Sequence, residues 1–149
     1  MRVTMRAFEP DDLERCLAIL DANTPDYFAP EERADYAAYL ERVGAAYIVC
    51  VARGEIVGGF AVTRGMPGSA HLNWILVGPE AQGMGVGRTI MRDVMRRAEL
   101  LGVSEIDIAA SHRSAPFFAH LGATEIARIE NGWGPDMHRV DMKLAVRVR

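Results

Sequence analysis

Three glycines in five positions, Gly83, Gly85 and Gly87, stand inside the stretch VGPEAQGMGVGR at residues 77–88. An apolar run, AHLNWILV, precedes them, and Ile90, Met91, Val94, Met95, Ala98 and Leu101 recur at helical spacing after them. Glycine in a helix costs about 1 kcal/mol relative to alanine, so three together imply that something approaches this backbone closely. The unpaired amides at a helix start form a ready anion site, and absent Cβ atoms let phosphate oxygens come within hydrogen-bond reach.

The rest of the chain arranges itself around that junction. MRVTMRAF alternates Val3, Met5 and Ala7 against Arg2, Thr4 and Arg6 and reads as a half-buried first strand. Pro10 suits a first helical turn, with Asp11 and Asp12 at its positive end and Leu13, Cys16, Leu17 and Leu20 as the apolar stripe. A second helix opens with Glu31 and Glu32, turns Tyr36, Tyr39, Leu40 and Val43 inward, and closes at Gly44. AYIVCVA and EIVGGFAVT flank Arg53 and Gly54 as a hairpin, and GMPGS leads into the third run. Beyond the long helix and Gly102, SEIDIAA is a strand and SAPFFAHLG a short helix with Ser114 as N-cap. Two closing strands flank ENGWGPD, which places Trp133 in an exposed turn. The order β-α-α-β-β-β-α-β-α-β-β has neither repeat nor linker. It describes one α/β (α+β) domain over residues 1–149, a mixed and mostly antiparallel sheet of about seven strands flanked by about four helices.

Composition narrows the function classes. With 50% hydrophobic and 25% charged residues the chain has the ordinary balance of a soluble globular protein. A net charge of -3 argues against nucleic acid, which calls for a basic face. No apolar stretch is long enough for a membrane span, and MRVTMRAFEPDD lacks the apolar core of a signal peptide. Cys16 and Cys50 have no metal-ligand or CxxC spacing, so buried free thiols in a cytoplasmic protein are expected. Four scattered histidines make no metal site.

Three phosphate-binding patterns compete for the glycines. A GxxxxGK[ST] loop counted from Gly78 to Gly83 meets Met84 where the lysine belongs, and fails. A GxGxxG fingerprint beginning at Gly83 needs glycine where Arg88 stands, and it lies after three strands rather than the first, although Asp107 falls where a ribose-binding acid belongs. The pattern [RQ]xxGx[GA] is present as Gln82, Gly83, Met84, Gly85, Val86 and Gly87 between strand and helix.

On these residues the chain resembles the GNAT superfamily of acetyl-CoA dependent N-acetyltransferases. The resemblance implies that the amides of the loop hold the coenzyme's pyrophosphate, with Arg88 adding charge, and that the strand ending in Val77 splays to pair with the pantetheine arm. A second, weaker match lies in SHRSAPFFAHLGA. Ala115 and Gly122 keep their places there, His112 stands in an asparagine slot beside the pantetheine arm, and Phe118 stands where many members have a tyrosine acid.

Acetyl transfer to an amine requires a neutral amine and a leaving thiolate. Phe118 has no proton to give, but a thiol pKa near 8.5 makes thiolate a tolerable leaving group at neutral pH. His71, level with a catalytic glutamate of some members and on one strand face with Asn73, is the expected base. The expected activity is direct attack of a primary amine on acetyl-CoA in a ternary complex. A coenzyme A binding module with little turnover is the alternative, and a nucleotide-dependent oxidoreductase a third.

In the family the first two helices wall the acceptor site. Here that region carries Asp21, Asp26, Glu31, Glu32, Asp35 and Glu41 against Arg33 and Arg42, with Tyr27, Phe28, Tyr36 and Tyr39 among them. Acids with aromatics suit a cationic acceptor. Trp133 marks either the acceptor site or a homodimer contact.

Overall fold

The computed structural model describes residues 2–147. In chain order it forms β1 (Thr4–Ala7), α1 (Leu13–Ala22), α2 (Glu32–Val43), β2 (Ile48–Ala52), β3 (Glu55–Arg64), β4 (Ser69–Val77), α3 (Val86–Leu101), β5 (Glu105–Ser111), α4 (Ala115–His120), β6 (Thr124–Gly134) and β7 (Met137–Ala145). The seven strands make one sheet in the order β1-β2-β3-β4-β5-β7-β6. Only β4 and β5 run parallel. Parallel neighbours need a long crossover, and α3 supplies it. The sheet is thus mixed and mostly antiparallel with four α-helices, as the pattern of apolar residues implies.

Alternation along the strands divides the core into two layers. Ile48 and Cys50 point to the face where Val86, Ile90, Val94 and Ala98 of α3 pack against Phe60, Ile106 and Val140. Tyr47 and Val49 point to the other, against Leu20 of α1 and Tyr36 and Leu40 of α2. Burying each of these large side chains contributes about 1.5–3 kcal/mol, so both helix layers are anchored before any polar contact is counted.

Two expectations shift in detail. Pro10 starts a separate 3-10 turn, Pro10–Asp12, and Asp12 is buried rather than simply facing a helix end. Arg6 donates to both its carboxylate oxygens, at 2.7 and 3.0 Å, and this guanidinium holds the Asp12 carboxyl below its ordinary range. At the far end, β6 runs on through a register irregularity between Ile129 and Gly134, so only Pro135 and Asp136 turn the chain into β7. Trp133 is therefore a half-buried strand residue and not part of an exposed turn. The extra residues absorbed by the irregularity carry strand hydrogen bonding past the point where local turn signals end it.

The feature that shapes the site is in β4. Gly59 pairs with Leu76 and Ala61 with Asn73, which leaves Trp74 and Ile75 opposite Phe60 alone. This bulge puts Trp74 at φ +47, a left-handed conformation unusual for a bulky residue. A buried relay holds it there: the Tyr36 hydroxyl donates to Tyr47 at 2.8 Å, and Tyr47 donates to the Trp74 carbonyl at 2.8 Å. Gly59 makes room for the relay, since a Cβ there would lie 2.6 Å from the Tyr47 ring.

Candidate active site

Beyond the bulge, β4 parts from β5. Their parallel pairing runs from Ser69 with Glu105 to Leu72 with Ile108 and then stops, while β5 stays paired to β7 through Ser111. A cavity of about 570 Å³ opens in the gap, walled by residues 72–77 of β4 on one side and 108–111 of β5 on the other. Beyond Leu72 and Ile108 the two strand edges no longer pair with each other, the kind of parted edge that an extended ligand can complete.

The glycine stretch forms one end of this cavity, and the three glycines are there for two reasons. Gly83 and Gly85 have φ of +78 and +83, which L side chains rarely adopt, with open space above each. Gly87 has ordinary backbone geometry, but a Cβ on it would lie 3.1 Å from the Phe117 ring. Among the described residues the amides of Gly83, Gly85, Val86, Gly87 and Arg88 donate to no protein group, whereas Met84 donates to the Ala81 carbonyl at 3.3 Å and Thr89 to that of Gly85 at 3.0 Å. Free donors at the positive end of a 16-residue helix form a cradle suited to an anion. A model of the acetyltransferase (GNAT) family matches residues 16–123, a span that includes the bulge, the gap and this cradle.

The chain belongs to the GNAT acetyltransferase family.

Solved structures agree on the fold. Ard1 from Thermoplasma volcanium superposes with a TM-score of 0.83 at 17% identity, over 99% of this chain and 100% of that one. The ribosomal-protein-S18-alanine N-acetyltransferase from Escherichia coli gives 0.78 at 19%, over 99% and 96%. An aminoglycoside 6'-N-acetyltransferase complexed with coenzyme A gives 0.75 at 12%, over 100% and 99%. No curated protein matches the sequence.

Within this GNAT fold the expected cofactor residues divide. Val77, Gln82, Gly83, Gly85, Gly87, Arg88 and Phe118 all line the cavity. Val86 turns its side chain into the core and offers only its amide, and the Met84 side chain is exposed to solvent. His112 lies outside the cavity wall. Its Nδ1 accepts the His138 amide at 3.1 Å, the two rings stand 4.7 Å apart, and burial with the neighbouring His138 lowers its pKa. His71 also lies outside, exposed on β4 near the β3–β4 turn, with its ring packed over Gly65. It sits on the part of β4 that is still paired to β5, one residue before Leu72, where the cavity wall begins.

Several residues of the site carry no motif. Asn23, just past α1, is buried and donates to the Ile19 and Val77 carbonyls at 3.0 Å each, and its Oδ1 accepts from Gln82 at 2.8 Å. Trp133 donates to the Ala110 carbonyl at 2.9 Å, carries Arg139 over its ring and lines the cavity. Trp74, also on the cavity wall, stacks with Phe28 at 6.3 Å and 17°. Glu32 lines the same cavity, 6% exposed, with Oε2 accepting the Ala29 amide at 2.7 Å. Burial pushes its carboxyl up to about 7, the Ala29 amide opposing and the charges of Asp35 and Glu31 adding to the rise. Only the Trp74 position leaves a trace in the sequence, as a break in the alternation of HLNWILV; Asn23 depends on partners 54 and 59 residues away.

Ser111 and Ser114 line the cavity near Phe118, but their hydroxyls lie 3.2 Å apart and pair with each other. Ser114 holds the N-cap position of α4 without capping it; its hydroxyl instead accepts the Ser111 amide at 3.1 Å. Cys16 and Cys50 are buried free thiols, raised by burial to about 11 and about 12. Among the described residues no cluster of His, Cys, Asp or Glu is placed to hold a metal, and no helix is long and apolar enough to cross a membrane.

Proposed function

We propose that this chain transfers an acetyl group from acetyl-CoA to a primary amine by direct attack within a ternary complex. The observation that carries the reading is the gap between β4 and β5, which opens at the Trp74 bulge and leads to the free amides of Gly83 and of residues 85–88. The family uses acetyl-CoA, and the gap with its free amides supports the same cosubstrate here. The cradle receives the pyrophosphate, Arg88 adds a positive charge in the first turn of α3, and the parted strand edges receive the amide-bearing pantetheine arm. The thioester then lies near the bulge, where the aromatic end of the cavity receives the acceptor.

In the reaction the amine nitrogen forms the new C–N bond, the C–S bond breaks, and coenzyme A leaves as thiolate. Phe118 closes the cavity where a tyrosine acid is found in many members, so the thiolate leaves without a proton from that position. His71 does not line the cavity, and we assign deprotonation of the amine to the cavity's own carboxylate, Glu32.

Phe118 also favours a second reading, a coenzyme A binding module with little or no turnover. Titration calorimetry with acetyl-CoA and coenzyme A, against NAD and ATP, tests the shared premise. Micromolar binding of both thioester and free coenzyme supports it, and no binding overturns both readings. Thiol release from acetyl-CoA across a panel of primary amines then separates transferase from binder.

A further inference from the structure

The acceptor end of the cavity has an unusual composition. Its walls are the rings of Tyr27, Phe28, Trp74 and Trp133, and the charged side chain among them is Glu32. The two other charged residues of the cavity, Arg88 and Arg113, belong to the first turn of α3 and to the turn between β5 and α4. Glu32 makes no ion pair with any described Lys, Arg or His. Its Oε2 is satisfied by the Ala29 amide, while Oε1 has no protein donor among the described residues. Oε1 is not a sealed orphan either, because Tyr39 Oη is the buried side-chain atom that lacks a partner among those residues. The second carboxylate oxygen is therefore open rather than sealed, on a residue that lines the cavity.

A carboxylate removed from water without a counter-ion is strongly unfavourable, and its burial raises its pKa here to about 7. A cation brought against Oε1 reverses that penalty. The aromatic faces around it add attraction for the same cation and cover an apolar body attached to it. The position is held firmly: Trp74 is locked by the bulge, and a Cβ on Gly134, next to Trp133, would come within 2.8 Å of both Ala29 Cβ and Glu31 Oε2, so β6 packs directly on the segment that carries Glu32.

We propose that Glu32 is the counter-ion of the acceptor's ammonium group, and that the acceptor is a primary amine on an apolar or aromatic body with no second charge beside the nitrogen. The proposal rests on the transferase reading above and names its substrate class. Glu32 selects and seats the cation, and the rings select what carries it.

The test compares three probes that share one phenyl body: 2-phenylethylamine, uncharged 2-phenylethanol, and phenylalanine, which adds a carboxylate beside the ammonium. Binding is read by tryptophan fluorescence, since Trp74 and Trp133 are the only tryptophans and both line the cavity. The titrations use the whole chain without coenzyme A, at a pH where the amine is protonated and Glu32 ionised. The wild type is expected to bind the amine roughly tenfold or more tightly than the alcohol or phenylalanine. Glu32→Gln, which keeps an oxygen for the Ala29 amide, is expected to bind amine and alcohol alike. Equal affinity of the wild type for amine and alcohol, no binding of the amine, or retention of the preference in Glu32→Gln each overturns the proposal. The wild-type comparison stands even if the variant does not fold. Coenzyme A titration is scored separately, so loss of the transferase reading and loss of this one are told apart.

Discussion

The Gln82 side-chain amide donates to Asn23 Oδ1 at 2.8 Å, and both side chains also donate to the Val77 carbonyl at 3.0 Å each. One buried asparagine after α1 thus ties the end of β4 to the start of the glycine stretch. Asn23→Ala takes the side-chain donor from the Ile19 carbonyl, one of two from the Val77 carbonyl, and one of the two acceptors that hold Gln82. The expected loss is about 2 kcal/mol, a Tm lower by roughly 4–8 °C, with coenzyme A binding weakened by calorimetry. An unchanged Kd for coenzyme A would mean that Gln82 and the cradle hold their geometry without the clamp.

The glycines separate by mechanism. Gly85→Ala forces an alanine into φ +83 and is expected to cost about 1–2 kcal/mol. Gly87→Ala removes a flexible residue from the first turn of α3, a gain of up to about 1 kcal/mol, and needs only a small shift of Phe117, whose ring is 37% exposed. Thermal melts should show Gly85→Ala below the wild type and Gly87→Ala level with or above it. Both are expected to weaken coenzyme A, the second by moving Phe117 and adding a methyl beside the cradle.

Tyr47 lies at the centre of the relay under the bulge, so the order of two variants tests it. Tyr47→Phe leaves the Trp74 carbonyl and the Tyr36 hydroxyl without partners and is expected to cost about 2–3 kcal/mol. Tyr36→Phe spares the bond to Trp74 and is expected to cost about 1 kcal/mol. Equal losses in urea denaturation would show that the relay does not support the bulge.

Phe118→Tyr places a phenol in the cavity at the family's acid position. If departure of the thiolate limits turnover, kcat rises by about tenfold or more, within the range a positioned acid supplies. Stopped-flow thiol release on one amine checks this, and a kcat unchanged within twofold would assign the slow step elsewhere.

Stability should carry the signature of Glu32. Its folded pKa is raised from an ordinary 4.5 to about 7 by burial and by Asp35 and Glu31. Between these values the folded state binds more protons than the unfolded one, so this residue's contribution favours folding less and less as pH rises from about 4.5 to 7. Glu32→Gln has no such titration. Its Tm relative to wild type is expected to climb across that window and level off above it; parallel Tm curves would show that Glu32 is not raised.

Periodicity made most of the fold readable before any coordinates. The stripe of Ile90, Met91, Val94 and Ala98 marks α3, and Arg53 with Gly54 marks the β2–β3 hairpin, because both signals are local. The end of β6 was not readable: its irregularity depends on pairing with β7, and Trp133 is drawn in by a bond to Ala110, 23 residues away. His71 and His112 each sit in a plausible place along the chain, yet neither lines the cavity, because a strand position says which face a side chain takes but not where the sheet splits.

The sequence by itself determined the order of elements, the glycine cradle and the family, since backbone conformation and helix termini are set by residues a few positions apart. Tertiary structure decided where the cavity lies and what lines it. The bulge at Trp74 exists because Tyr47 and Tyr36 hold it within the layer under α1 and α2, the glycine stretch is anchored by Asn23 from the end of α1, and Glu32 acquires its character only by being buried at a cavity whose rings come from β4 and β6. Burial and desolvation are properties of the packed chain, and they turn one of many acidic residues into a group with its own chemistry.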